Sequence, residues 1–429
     1  MTDFATGDKV KVKHNTETYT GTVSKESTNK ILMLRLDNGY SLGIKLGKGT
    51  IIQVVGKTKK IKSPNIAVKQ NKDLPSISVI STGGTITSSV DYKSGAVSPI
   101  TKPEELLAKV PELTEIVNIT KVSQPFAVFS EDMSPKEWQR LAKEVADELN
   151  KGNAGVIVTH GTDTLHYTAA ALSFMLRHLS KPVAVVGGQR SSDRGSFDGA
   201  LNLICGAHFA KSNIAEVAVV MHGTTEDNFC FVNRGTKVKK LHSSRRDAFR
   251  PVNELPLGRM WKDGTLEILN KNFNKRSDEK VIADTKFEEK VALIKFFPGA
   301  DPNILNYFVS KGYKGIIIEA TGLGQVATNP AAKNKSWLPA VKEAIKKKVF
   351  IGFTSQTIYG KVDPYVYSSA RTLQDAGVVF LEDMLSETAF VKLGWVLGHT
   401  TKQDEVKKFM LLNIAGEINY KLEPRGFLY

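Results

Sequence analysis

The chain has 429 residues, more than one hydrophobic core usually serves, so two or three domains are expected from length alone. Hydrophobic residues make up 41% of it, as in folded soluble proteins, and the net charge is +15, from 59 Lys+Arg against 44 Asp+Glu. Only Cys205 and Cys230 are cysteines, and neither sits in a CxxC or Cys/His pattern, which argues against a disulfide framework and against a zinc site. No apolar run approaches the ~20 residues of a membrane helix, and MTDFATGDKV has no signal-peptide pattern. A soluble, cytoplasmic protein is expected, with no membrane partner.

The excess charge is uneven. Residues 1–74 hold 14 Lys+Arg against 6 Asp+Glu, about half of the total excess. Such a segment attracts polyanions through phosphate contacts and counterion release, although lysine-rich stretches are more often simply solvated surface. Within it, GDKVKVKH, YTGTVSKE, KILMLRLDNGYSLGI and GTIIQVVG alternate apolar with polar residues and are separated by turn residues, DNG at 37–39 among them. Four or five short strands in about fifty residues predict a small SH3-like β-barrel over 1–56. Residues 57–75, KTKKIKSPNIAVKQNKDLP, lose that periodicity and read as a linker.

From residue 76 the pattern changes to apolar runs, ISVIST (77–82), GVIVT (155–159), PVAVVG (182–187) and EVAVVM (216–221). Helical stretches lie between them, at 135–151 and 164–179. Strands apolar on both faces imply a parallel sheet covered on both sides, a doubly wound α/β domain over 76–284. A second series, VALIKFF (291–297), KGIIIEA (314–320), KVFIGFTS (348–355) and GVVFL (377–381), with a helix over 338–348, predicts a smaller α/β domain over 285–429.

In open parallel sheets ligands collect at the carboxyl ends of the strands. Two glycine turns carrying threonines fall there, STGGTI (81–86) and THGTDT (159–164). Gly84 and Gly161 let the backbone approach a small ligand closely, and Thr85 and Thr162 present hydroxyls beside them. A tight turn or a helix N-cap accounts for each motif taken singly. A cap does not account for a hydroxyl and the Asp163 carboxylate side by side. A threonine hydroxyl becomes a nucleophile only with a base nearby, and a lysine rendered partly neutral by burial and positive neighbours can serve. NRGTKVKKLHSSRRDAFRPVN (233–253) has seven Lys/Arg in the seventeen positions from 234 to 250 and could supply it. It reads equally as a basic surface loop or a phosphate patch.

TGGTI followed by HGTDT resembles the asparaginase/glutaminase family over roughly residues 76–400; either motif alone is weak, and the two in this order are specific. The resemblance implies roles position by position. Thr85 matches a nucleophilic threonine and Tyr92 the loop tyrosine that helps activate it. Ser130, in FSEDM, matches the serine that holds the substrate's α-carboxylate. Thr162 matches the second threonine, and Asp163 the aspartate that recognises the α-amino group. Gly188, in VGGQR, matches a position whose backbone contacts the scissile carboxamide. Lys240 matches the lysine of a Thr-Lys-Asp triad, from its nine-residue distance to Phe249, with Lys239 as the neighbouring alternative. The two turns are then expected to face one amide substrate, Gln or Asn, in a double displacement through a threonyl ester.

Three departures from free asparaginases narrow the resemblance: the 75 residues before the first catalytic strand, Glu131 beside Ser130 where those enzymes commonly carry Gln, and the tail LLNIAGEINY (411–420). With SRRDAFRPVNELPLGR (244–259) they are similar to the family branch that serves as amidase subunit of archaeal glutamyl-tRNA(Gln) amidotransferases. That branch implies a homodimer within a heterotetramer with the partner subunit GatE, and tRNA(Gln) in the complex. ATP and Mg are expected at the partner only, and no cofactor or metal in this chain, which has no GxxxxGK[ST] loop. Residues 354–367 are expected to contribute across the dimer interface. The competing readings are a free cytoplasmic L-asparaginase with an accessory barrel, and a binding adaptor whose asparaginase body is inactive.

Overall fold

The computed structural model describes residues 4–24, 27–38, 40–47, 49–57, 71–83, 88–90, 97–99, 102–190 and 196–429. At the N-terminus, five strands form an antiparallel sheet in the spatial order Ser41–Lys45, Ile31–Leu36, Glu17–Val23, Asp8–His14, Thr50–Lys57. The period of two in DKVKVKH is the cause of its one-sidedness. Val10 and Val12 are buried with Val23, Leu32, Leu34 and Ile44, while Lys11 and Lys13 point outward.

The central sheet has eight strands in the order Leu266–Ile268, Gly258–Trp261, Phe229–Arg234, Val217–His222, Val183–Val186, Gly155–Thr159, Ser76–Ser81, Asn118–Ser123. From Val217–His222 to Asn118–Ser123 the neighbours are parallel, and from Val217–His222 to Leu266–Ile268 they are antiparallel. Alternate residues of each parallel strand feed opposite cores. Val156 and Val158 pack with the helices Pro135–Asn150 and Leu165–Met175, whereas Ile157 packs with Pro103–Lys109 and Gly199–Ala210. This two-sided burial is why the strands read as unbroken apolar runs.

A second, four-stranded parallel sheet follows in the order Val291–Lys295, Gly315–Ala320, Phe350–Ser355, Val379–Phe380. One of its faces, with Ile316, Ile318, Ile351 and Phe353, closes over Trp337 and Val341. The other, with Ile317 and Phe350, joins the core of the central sheet through the helix Ser386–Leu397, which packs on Leu165–Met175. The two α/β sheets therefore share one apolar core.

Two regions differ from the sequence expectation. The helix expected over 164–179 ends at Met175, and Leu176–Arg177 instead pairs antiparallel with Ile282–Ala283, with His178 at φ 54°. The strands at 229–234, 258–261 and 266–268 were not expected. They extend the sheet antiparallel, and their polar and glycine content lacks the continuous apolar signature of the parallel strands.

Candidate active site

The strands Ser76–Ser81 and Gly155–Thr159 lie side by side in parallel register, from Ile77↔Gly155 to Ser81↔Thr159. Their two carboxyl ends therefore open together, and the threonine turns leave the sheet as neighbours. Thr82 donates to the Thr159 carbonyl through its backbone N–H, at 3.0 Å, and through its hydroxyl, at 3.2 Å. Gly83 follows at φ +115°, where an added Cβ would come within 2.7 Å of the Val128 carbonyl oxygen, so only glycine fits this turn. Gly84, Thr85 and Tyr92 lie outside the described residues.

The second turn is held from below by a chain of hydrogen bonds. Trp138 Nε1–H donates to Thr168 Oγ1 (3.0 Å), the Thr168 hydroxyl meets His160 Nε2 (2.8 Å), and His160 Nδ1 meets the Gly161 carbonyl oxygen (2.7 Å). A carbonyl only accepts, so Nδ1 carries a proton, and in the neutral ring Nε2 accepts from the Thr168 hydroxyl. Burial favours that neutral ring, drawing the His160 pKa down to about 4. Gly161 is packed against Ser130, whose Cβ and Oγ would lie 2.9 and 3.1 Å from an added Cβ. Ser130 is buried, and its carbonyl accepts from Thr164 Oγ1 at 2.5 Å. Its Oγ lies 3.4 Å from Oε2 of the exposed Glu131. Ser130 and Thr162 are thus drawn to one mouth by a serine–glycine contact across two loops.

Lys240 reaches that mouth from a different part of the chain. The short strand Val238–Lys240 pairs antiparallel with Phe249–Pro251, Lys240 directly opposite Phe249. Successive strand side chains point to opposite faces. Lys240 Nζ donates to Thr162 Oγ1 at 2.9 Å and to Asp163 Oδ1 at 2.8 Å, while Lys239 turns away and ion-pairs with Glu387. The lysine side chain is 8% exposed and that of Asp163 69%, so the carboxylate stands in solvent where a charged substrate group would meet it. Thr162 Oγ1 in turn donates to Gln189 Oε1 at 3.2 Å.

Neither Gln189 nor Asp198 was singled out from the sequence. The Asp198 carboxylate accepts the backbone N–H groups of Gln189, at 3.0 Å, and Arg190, at 2.9 Å, and so shapes the VGGQR turn beside Thr162. Gly188 lies half-buried in that turn, and the adjacent Gly187 leaves 2.8 Å between an added Cβ and Thr162 Cγ2. Glutamine after a glycine pair at a strand end was the available signal. Residues 354–367 fold back on the same chain, Tyr359 Oη donating to the Pro251 carbonyl (3.4 Å) and Gly360 N–H to Asn253 Oδ1 (2.9 Å), with Tyr365 and Tyr367 exposed.

An ammonium that donates to a hydroxyl polarises it toward alkoxide, and once neutral it accepts the hydroxyl proton. Lysine, threonine and aspartate in direct contact, beside a second threonine-bearing turn, can therefore move a proton on and off a nucleophilic oxygen. Among the described residues no group of His, Cys, Asp and Glu is arranged to hold a metal ion, and no helix is long and apolar enough to cross a membrane.

This fold and site define an asparaginase-type amidohydrolase. Residues 76–274 match the N-terminal asparaginase domain and residues 290–410 the C-terminal domain of glutaminases and asparaginases. The L-asparaginase of Thermococcus kodakarensis superposes with a TM-score of 0.72 at 28% identity, covering 81% of this chain and 100% of that one. L-asparaginase I of Vibrio cholerae gives 0.68 at 29%, over 81% of this chain and 99% of its own. Residues 4–55 match the GatD N-terminal domain. The GatD subunit of the glutamyl-tRNA(Gln) amidotransferase of Pyrococcus furiosus is 50% identical over 406 residues, 94% of this chain and 90% of that protein. Its counterpart from Sulfurisphaera tokodaii is 41% identical over 430 residues, 98% and 93% of the two chains. The chain belongs to the GatD family of glutamyl-tRNA(Gln) amidotransferase subunits.

Proposed function

We propose that this chain is the amidase subunit of a glutamyl-tRNA(Gln) amidotransferase, releasing ammonia from Gln or Asn for amidation of Glu-tRNA(Gln) by a partner subunit of the GatE kind. The observation that carries this reading is the contact of Lys240 Nζ with both Thr162 Oγ1 and Asp163 Oδ1, at the mouth of the sheet where the Thr85 turn also begins.

A threonine oxygen attacks the side-chain carboxamide carbon and loses its proton toward the lysine relay. The tetrahedral adduct collapses as the C–N bond breaks, the nitrogen takes a proton, and ammonia leaves a threonyl ester. Water, deprotonated by the same relay, attacks the ester and releases glutamate or aspartate. In this reading Thr85 and Thr162 serve the two halves in turn, with Tyr92 assisting Thr85. Asp163 holds the substrate's α-ammonium and Ser130 its α-carboxylate, while Glu131, whose ionised side chain only accepts, borders the substrate mouth beside Ser130. Gly188 presents its backbone to the scissile carboxamide, and Gly84 and Gly161 belong to the substrate-binding turns.

The assembly proposed with it is a homodimer of this chain in a heterotetramer with the partner, with tRNA(Gln) bound and with ATP and Mg acting only at the partner. The basic first 74 residues fit a complex that contains RNA. The test is ammonia release from Gln and Asn by the chain alone, then with partner and Glu-tRNA(Gln). A strong rise on addition supports the reading. Full activity on Asn, unchanged by the additions, would replace it with a free asparaginase. Thr85→Ala is expected to abolish release without loss of assembly, and turnover at the wild-type rate would remove Thr85 from the mechanism.

A further inference from the structure

The strand that carries Lys240 is entered through the turn at 234–237, and that turn is gripped by the C-terminal tail. Residues 413–419 follow the last α-helix, Gln403–Leu411, and lie against that turn. Thr236 Oγ1 donates to the Ala415 carbonyl at 2.9 Å, while the Thr236 carbonyl accepts from Thr388 Oγ1, also at 2.9 Å. Gly416, at φ +75°, lies so close on the stem of Arg234 that an added Cβ would come within 2.6 Å of its Cδ. Arg234 is itself fixed by Glu216 and Glu254, both at 3.1 Å.

A buried ion pair completes the grip. Lys237 Nζ lies 2.6 Å from Asp383 Oδ2, and neither side chain is exposed. The same carboxylate accepts the backbone N–H of Asn419 at 2.8 Å and its side-chain amide at 3.0 Å. The tail is shaped for this by its own glutamate. Glu417 is fully buried, pairs with Lys392 at 2.5 Å, and accepts the backbone N–H groups of Ile414 (3.0 Å) and Ala415 (2.6 Å). Thr236, Lys237 and Arg234 meet these partners at the turn itself, the Glu417–Lys392 pair acts on it only through the shape of the tail, and none of these groups belongs to the substrate mouth. Desolvated, mutually satisfied charges of this kind hold a unique geometry rather than adding binding area.

We propose that the tail segment 413–419 positions Lys240 for proton transfer by clamping the turn at 234–237, with Thr236, Asp383 and Asn419 as positioning residues. This rests on the reading of Lys240 as the lysine of the amidase site. Thr236→Val keeps the side chain's shape and removes the bond to Ala415; Thr236→Ser keeps the bond. Measured as ammonia release from Gln by the full chain with its partner subunit, Thr236→Val is expected to lose on the order of tenfold in kcat with KM unchanged, since small misplacements of a reacting group are that costly. Thr236→Ser is expected to stay at wild-type kcat. Amide exchange across 236–241 should quicken in the valine variant and not in the serine one.

Asn419→Ala, which loosens the other end of the clamp, should reproduce the kcat loss. Wild-type kcat in both Thr236→Val and Asn419→Ala, or a loss that falls on KM, would overturn the clamp. Lys240→Ala separates the two claims. Full turnover in that variant would remove the site reading itself, whereas its inactivity beside fully active Thr236→Val and Asn419→Ala would remove only the clamp.

Discussion

Lys240→Met should separate catalysis from stability. The substitution keeps the aliphatic stem and deletes two hydrogen bonds, to Thr162 Oγ1 at 2.9 Å and to Asp163 Oδ1 at 2.8 Å. Asp163 is 69% exposed, so its carboxylate passes to water when the ammonium goes. An ion pair with one solvated member contributes only ~0–1 kcal/mol. The proton relay is worth far more. Loss of a positioned acid–base group costs roughly 10²–10⁴ in rate, or about 2.7–5.4 kcal/mol of barrier. The neighbouring substitution inverts this. Lys239→Met strands Glu387, whose side chain is 11% exposed, and breaking such a buried pair costs about 3 kcal/mol of stability. Ammonia release and urea unfolding, measured on both variants, give the test. Near-wild-type turnover in Lys240→Met, or a larger activity loss in Lys239→Met, would refute the assignment of the lysine.

Gly187→Ala would set a methyl 2.8 Å from Thr162 Cγ2 and 3.0 Å from the His160 carbonyl oxygen. Overpacking of about 1–3 kcal/mol and displacement of Thr162 should follow, with kcat down on the order of 10²-fold in the ammonia assay. Asp383→Ala leaves Lys237 buried without its partner and should destabilise the fold by ~3–5 kcal/mol in urea titrations, while Lys237→Met added to it should recover most of that loss. Burial holds both His160 and His166 near a pKa of about 4, below the ordinary 6.5. The unfolded chain therefore takes up these protons first as pH falls. Their stabilisation is complete above about 6.5 and is lost progressively toward 4, by up to roughly 3 kcal/mol each. Unfolding midpoints followed across that window should fall steeply, and a flat profile would contradict the buried neutral rings.

The parallel strands were legible because burial on both faces leaves an unbroken apolar run, as in GVIVT, whose five residues are all buried. The antiparallel extension was not. Phe229–Arg234 is equally buried, but it ends in Asn233 and Arg234, and the burial of Arg234 depends on Glu216 and Glu254 from other segments. A period of two or of 3.6 reports which way side chains point, not which buried charges find partners. The same limit applies at Lys237 and Lys392, which read as solvated lysines and are fully buried.

Lys240 was preferred to its neighbour Lys239 only through the spacing to Phe249 that the family resemblance implies; the register that turns the two side chains to opposite faces was not legible in the sequence. The observed pairing of Lys240 with Phe249 supplies that register. Gln189 and Asp198 had no comparable ruler, since their roles depend on where the Thr162 turn ends. The tail was legible as an addition to the minimal fold, yet its contacts with the turn before Lys240 were not. Its bonds to Thr236 and to Asp383 join residues of three remote segments, Thr236 and Ala415 standing 179 positions apart and Lys237 and Asp383 146. A turn held by partners so far along the chain carries no local periodicity or spacing from which its role can be read.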